Sequence, residues 1–354
     1  MTYFTFGFMK SVMKLIKPLV VLTLFLNGLQ VQAQWRDAIG NIDDAHAQNT
    51  YFNDLFFFNP NYGFAVGDRS TILLFDGVSW KKQQALSNAA SAFYGISFSA
   101  DTNGWIIGEN ATFYQYNKSN NSWTFFKNVE IDKKDISKDN KVLIDLKGVF
   151  TISKTNAWAV ADGQHIYNFD GKKWRKTTCE GVNEQLYSIQ FVNNIGFAVG
   201  ENGIIIKYEN GVWNKMGTPT ISKLRSVSMV DENYGFAVGE NGTFLVYDNG
   251  IWSKMLVGGA EGLRLRSVYA LNDKKAWAVG DKGTMFCFEG KNWSSCNNNK
   301  FTSNILTKVL FTGEGQGWVC GQNSFMNFEI SVDDEFNSKR TDMNASNADN
   351  NVPK

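Results

Sequence analysis

Apolar residues in this chain fall in short runs of alternating pattern, broken by clusters of Gly, Asn and Asp. Such spacing predicts strands joined by tight turns, and no repeated segment carries the 3.6-residue apolar period of a helix. One phrase recurs. Residues 63–67, 196–200 and 235–239 each read Gly-Phe-Ala-Val-Gly. Looser copies occupy 104–108, 157–161, 276–280 and 317–321, so the phrase ends at 67, 108, 161, 200, 239, 280 and 321. The steps are close to forty residues except that from 108 to 161, where residues 127–141 form a charged insert that reads as a solvated loop. A period near forty residues with four strands per copy is that of a propeller blade.

In the fifth copy the four strands are predicted at 224–230, 235–239, 243–247 and 252–256. The Asn241-Gly242 and Asn249-Gly250 pairs supply hairpin turns, because both residue types tolerate positive φ. Aromatic residues fall in columns. The second strands carry Phe64, Trp105, Trp158, Phe197, Phe236, Trp277 and Trp318, and the fourth strands open with Trp80, Trp123, Trp174, Trp213, Trp252 and Trp293. Large side chains at such positions fill the wedge between stacked sheets, so the columns are expected to be core, with sugar stacking as the alternative use. The seventh copy lacks its Trp. Gln34-Trp35-Arg36-Asp37 near the N-terminus resembles Lys173-Trp174-Arg175-Lys176, so this segment is expected to form the outer strand of the last blade. That closure removes open sheet edges and fixes an all-β, seven-bladed β-propeller with four-stranded antiparallel blades.

The ends change the picture further. Lys10, Lys14 and Lys17, the apolar run 19–29 and Val31-Gln32-Ala33 form a signal-peptide pattern, with translation starting at Met1, Met9 or Met13. The expected organisation is a signal peptide at 1–33, a propeller at 34–333 and a disordered polar tail at 334–354. The protein is therefore expected to be exported, to the periplasm, the cell surface or the medium, without a membrane span. Of four cysteines, Cys287 and Cys296 flank a predicted turn and are the candidate disulfide pair; four buried free thiols are the alternative. A net charge of +1 gives no global grip on nucleic acid, and none is expected as a partner.

The unit Gly-Phe-Ala-Val-Gly-Glu-Asn-Gly, followed by an aromatic-Asp-Asn-Gly-x-Trp turn, resembles the photosystem II stability and assembly factor family, a relative of the BNR or Asp-box propellers that include sialidases. The resemblance covers about 35–333. Asp248, Asn249, Gly250 and Trp252 keep the Asp, Gly and Trp of an Asp-box in shortened spacing, without its leading Ser or Thr. It implies the propeller and a binding or scaffold role. It also implies an Arg-bearing surface for a protein client, which Arg225 and Arg266 match by repeat position.

Little in the chain points to catalysis. Outside the leader the arginines are Arg36, Arg69, Arg175, Arg225, Arg264, Arg266 and Arg340, and the histidines are His46 and His165; no metal-ligand spacing, nucleophile elbow or phosphate loop occurs. No enzyme activity and no cofactor are expected. Asp68, Glu109, Asp162, Glu201, Glu240 and Asp281 follow the second strands and read as turn residues. The candidate site lies at the start of the inner strands. There the aligned copies place Asn53, Tyr94, Lys147, Tyr187, Arg225, Arg266 and Thr307 at one position, expected to ring one mouth of the central channel, with Lys147, Arg225, Arg264 and Arg266 making one arc basic. Tyr and Arg are common interface anchors. Tyr94, Lys147, Tyr187, Arg225, Arg264 and Arg266 are the expected partner-binding residues of a monomer that binds a protein. A carbohydrate-binding or sialidase-like propeller and a structural cell-surface protein are the alternatives.

Overall fold

The computed structural model describes residues 30–83, 86, 92–100, 103–296, 302–313 and 315–333. Residues 1–29 of the expected 1–33 leader and the expected tail from 334 lie outside these, while residues 30–33 belong to the strand Gln30–Asp37. Two compact units are present, 36–327 and a smaller one whose described residues are 30–35 and 328–333. The chain forms seven four-stranded antiparallel sheets. This is the expected seven-bladed propeller. The fifth sheet comprises Leu224–Met229, Tyr234–Gly239, Phe244–Asp248 and Ile251–Met255, each within about a residue of its sequence expectation. The turn residues sit where their chemistry requires: Asn241 and Gly242 have φ of 56° and 63°, and Asn249 and Gly250 have 45° and 97°.

Blades are numbered here from the first complete sheet, Phe52–Lys82 in sequence, to the seventh, whose inner strand is Leu306–Gly313. In the seventh sheet the order from outside inwards is Gln30–Asp37, Ser324–Asp333, Gln316–Gly321 and Leu306–Gly313. The N-terminal strand is thus the outer strand of the last blade. In the smaller unit Trp35 is buried, with its ring centroid 5.1 Å from that of Phe328. Within the larger unit the Ala38 N–H donates to the Phe325 carbonyl at 2.7 Å, tying the following segment to the same blade.

The tryptophan columns are core. In blades 1–6 each outer-strand Trp stands edge-on to the second-strand ring of the preceding blade. Trp80 meets Trp318 at 88°, Trp123 meets Phe64 at 85°, Trp213 meets Trp158 at 79° and Trp293 meets Phe236 at 84°. Edge-to-face contact aligns the positive ring edge with the negative ring face and adds about 0.5–1.5 kcal/mol per pair beyond area burial. Trp80 and Trp174 are fully buried, which removes them as sugar-stacking platforms.

Inner strands are joined by side chains. The hydroxyls of Ser188, Ser226 and Ser267 accept the N–H groups of Val227, Val268 and Val309 in the next blade at 3.3, 3.1 and 3.2 Å. In blade 1 this acceptor is Asp54, which takes the Ile96 N–H at 3.0 Å. Blade 7 carries Lys308 there, a donor that cannot accept, and its ammonium meets Asp54 at 2.8 Å. Among the described residues, the last and first inner strands are therefore joined by an ion pair that no other blade junction carries at this position. Thr307 Oγ1 adds a 2.6 Å bond to the Phe52 carbonyl.

The charged insert departs from expectation. Its start runs beside the outer strand of blade 3: the Trp174 N–H donates to the Asn128 carbonyl at 3.0 Å, and the Glu130 N–H to the Trp174 carbonyl at 2.9 Å. Val129, Ile131 and Val142 pack on the blade 2–3 core. Asp135 holds the buried His165 ring at 2.8 Å, and Asp132 pairs with Lys176. The apolar residues interleaved among the charges supply the surface that docks a segment whose composition reads as solvated.

Cys287 and Cys296 form a disulfide across the outer hairpin of blade 6, with Cα atoms 5.6 Å apart. Cys179 and Cys320 are free and buried. Burial pushes the Cys179 thiol up and that of Cys320 up to about 12, so neither supplies thiolate at neutral pH. Titration with Ellman's reagent, without reductant, should find no reactive thiol in the folded protein and two after denaturation. Four after denaturation would exclude the disulfide.

Candidate functional site

The mouth of the channel is built from three positions of each blade. At the end of every second strand, the next residue's N–H donates to a carbonyl just ahead of the inner strand. Asp68 donates to Tyr51, Glu109 to Ala92, Asp162 to Asp145, Glu201 to Gln185, Glu240 to Lys223, Asp281 to Arg264 and Gln322 to Ile305, at 2.8–3.2 Å. This bond brings the acceptor's side chain, the ring residue two positions later and the acidic side chain to one point on the rim.

The closeness of that bond explains why the repeated phrase ends in glycine. A Cβ on Gly67, Gly108, Gly200, Gly239, Gly280 or Gly321 would come within 1.9–2.4 Å of the accepting carbonyl oxygen. Side-chain atoms do not tolerate such an approach at the glycine backbone angles, with ψ of −148° at Gly200 and −155° at Gly280. Blade 3 makes the same bond at 2.9 Å with Ala161 at this place, where ψ is 176° and the backbone leaves room for the Cβ.

Asn53, Tyr94, Lys147, Tyr187, Arg225, Arg266 and Thr307, with Tyr51, line one cavity of about 320 Å³. The aligned position thus forms the expected ring. Arg264 lies beside it, in a neighbouring cleft with Glu240, Asp281 and Lys282.

The acidic residues are more than turn formers, which corrects the sequence expectation. Asn53 Nδ2 donates to Asp68 at 3.1 Å, and the Tyr94 hydroxyl donates to Glu109 at 3.2 Å. Lys147 lies between Asp145 and Asp162, 3.3 and 3.4 Å away. Lys223 reaches Glu201 at 3.1 Å and the Tyr187 hydroxyl at 3.2 Å. Arg225 meets Glu240 at 2.6 Å, and Arg266 pairs with Asp281. Arg264 bridges the last two carboxylates, at 3.3 and 3.6 Å. The expected basic arc is corrected as well, because each of its cations has a carboxylate partner.

The rings on this rim carry cations. Lys147 Nζ stands 4.8 Å from the centroid of Tyr94, and Lys223 Nζ and the Arg225 guanidinium stand 5.1 and 5.6 Å from that of Tyr187. Such contacts add about 0.5–1 kcal/mol each at partly exposed sites and fix the ring planes. Charge states follow from the surroundings. Burial works against the Glu240 carboxylate, but Arg225, Arg264 and Lys223 outweigh it and hold its pKa below the usual value. Burial raises the pKa of Asp162, assisted by Asp145 and opposed by Lys147. Burial also raises those of Tyr51 and Tyr94, so both phenols stay protonated, and that of Tyr94 donates to Glu109.

The family model described as photosynthesis system II assembly factor YCF48 matches residues 24–117. Two solved structures share the architecture at 16% identity: "YCF48 bound to D1 peptide" (TM-score 0.65, covering 87% of this chain and 97% of that one), and YCF48 from Cyanidioschyzon merolae (TM-score 0.63, 83% and 98%). Over residues 24–117 the sequence is similar to the YCF48 family. A streptogramin B lyase structure also matches, at 10% identity and TM-score 0.65, covering 86% of this chain and 98% of that one. At these identities the likeness to solved structures is one of fold. No curated protein sequence matches the chain.

Sequence reasoning placed the ring of this propeller but missed the side chains two positions earlier: Tyr51, Asp145, Gln185 and Lys223. The same repeat alignment, read two residues back, contains them. It also separates ring residue and acid by 15 residues, as in Arg225 with Glu240 and Arg266 with Asp281, except for 14 between Tyr187 and Glu201. His165 does not line the rim cavity; its ring is buried and meets Asp135 at 2.8 Å. Among the described residues no group of three His, Cys, Asp or Glu is placed to hold a metal ion, and no helix is long and apolar enough to cross a membrane.

Proposed function

We propose that this protein is an exported, non-catalytic propeller that binds a segment of another protein at the inner-strand mouth. One observation carries the proposal: seven blades direct chemically different side chains, Asn, Tyr, Lys, Tyr, Arg, Arg and Thr, from one repeat position into a single cavity. A purely structural rim has no need of such variety, whereas a surface read by a specific partner does. Tyr and Arg dominate it, the residue types that anchor protein interfaces. The match to the YCF48 family model and the fold shared with a peptide-bound YCF48 support this reading. The family resemblance also supports the expectation of no catalysis.

Binding here is an exchange. An incoming carboxylate takes guanidinium hydrogen bonds that Glu240 and Asp281 hold in the free protein, so association gains less than for bare arginines but discriminates more sharply. The double variant Arg225→Gln, Arg266→Gln should lose capture of a client from an envelope extract, while its melting temperature falls by only a few degrees, since part-exposed pairs contribute about 1 kcal/mol or less each. Gln is chosen because a Glu at either position would face Glu240 or Asp281. Undiminished capture by a folded variant would refute the site. A glycan array and a fluorogenic sialoside assay test the carbohydrate alternative.

A further inference from the structure

Charge around the mouth is unevenly distributed. The three rim positions of blades 1–4 hold Asp68, Glu109, Asp145, Asp162 and Glu201 against Lys147 alone, a net of −4. Those of blades 5 and 6 hold Lys223, Arg225, Arg264 and Arg266 against Glu240 and Asp281, a net of +2. Blade 7 contributes Ile305, Thr307 and Gln322, which carry none. The cause is local. The acid after the second strand is nearly constant, and its partners differ. In blades 1 and 2 Asp68 and Glu109 are held by neutral donors, Asn53 and Tyr94, which leave their charge uncompensated. In blades 5 and 6 each acid meets two guanidinium groups. Arg264 is also the more open of these cations, its side chain 45% exposed against 20% for Arg225 and Arg266.

We propose that the mouth is a dipolar docking site that takes an extended peptide in one direction. The peptide's acidic residue lies over blades 5 and 6, and its Lys or Arg lies over the carboxylates of blades 1–4. This rests on the mouth as the binding site and adds the chemistry and direction of the occupant. A purely acidic peptide gains at one wall and is repelled at the other. A dipolar one is attracted at both, and charge complementarity of this kind sets orientation and partner choice more than raw affinity. Tyr94 and Tyr187 line the cavity within the acidic sector, Tyr187 in blade 4 next to the basic blade 5, where Lys223 and Arg225 stand over its ring.

The test is selection of a displayed library of random linear peptides on the full-length protein. Expected are binders that carry an acidic and a basic residue in fixed order. For a synthetic binder, changing its basic residue to Gln should weaken binding about tenfold. Glu109→Gln with Asp162→Asn in the protein should weaken it similarly, and the two changes together should cost little more than either alone. If the selected peptides are acidic only, lost with Arg225→Gln and Arg266→Gln but indifferent to Glu109→Gln and Asp162→Asn, the dipolar site is wrong and the mouth still binds. If no selected peptide responds to the arginine substitutions, the mouth itself is not the binding site.

Discussion

Trp80→Ala is expected to lower the free energy of unfolding by about 3–5 kcal/mol, the usual range for deleting a fully buried Trp. Trp80 has no exposed surface and lies where the first blade meets the last. Its ring centroid is 5.0 Å from Phe75 and 5.6 Å from Phe57 in its own blade, and 5.4 Å from Trp318 and 4.7 Å from Phe325 in blade 7. The lost side chain therefore leaves a cavity in the junction that closes the ring, walled by other aromatic side chains with little freedom to collapse. Denaturant titration measures the effect, with Val78→Ala, an exposed neighbour, as the control. A loss under about 1 kcal/mol would mean that this junction is not a packed core.

Gly239→Ala is expected to cost about 1–3 kcal/mol, the range for forcing an extra carbon into a packed site, and to impair partner binding as well. The added Cβ would sit 2.0 Å from the Lys223 carbonyl oxygen and 2.9 Å from the Leu224 Cα, both backbone atoms that no rotamer change can move. Relief requires the backbone at 239 to turn toward the angle that Ala161 adopts in blade 3, ψ 176° against −148° at Gly200. That turn re-aims Glu240, whose N–H now meets the Lys223 carbonyl at 2.9 Å, relative to Arg225 at blade 5 of the rim. Gly217→Ala, whose added methyl would have no neighbour within 4 Å, is the matched control and should be silent in both assays. A Gly239→Ala protein with wild-type stability and binding would show that the close approach is not required for the rim.

The sequence alone determined the fold. Strand period, Asn-Gly turns and aromatic columns recur in register, and each repeat states the same pattern independently, so a count of seven follows from the chain itself. Trp35 announced the closing strand because it carries the outer-strand signature where the last repeat lacks one. The ring of Asn53, Tyr94, Lys147, Tyr187, Arg225, Arg266 and Thr307 was legible for the same reason: equal positions in equal repeats must share one level of a closed ring.

What the tertiary structure decided is what those side chains face. Arg225 lies in the inner strand of blade 5 and Glu240 just past the end of the second, and the bond between the Glu240 N–H and the Lys223 carbonyl sets them together. The basic arc of the sequence became a set of ion pairs for that reason, with an excess of carboxylates on one side and of guanidinium groups on the other. The insert was misread for a related reason. Its charges dominate the composition, but docking depends on whether Val129, Ile131 and Val142 find an apolar surface, and that surface is made by blades 2 and 3. Local pattern fixes which way a strand turns its side chains, whereas the sign of the field at a surface depends on neighbours brought together only by folding.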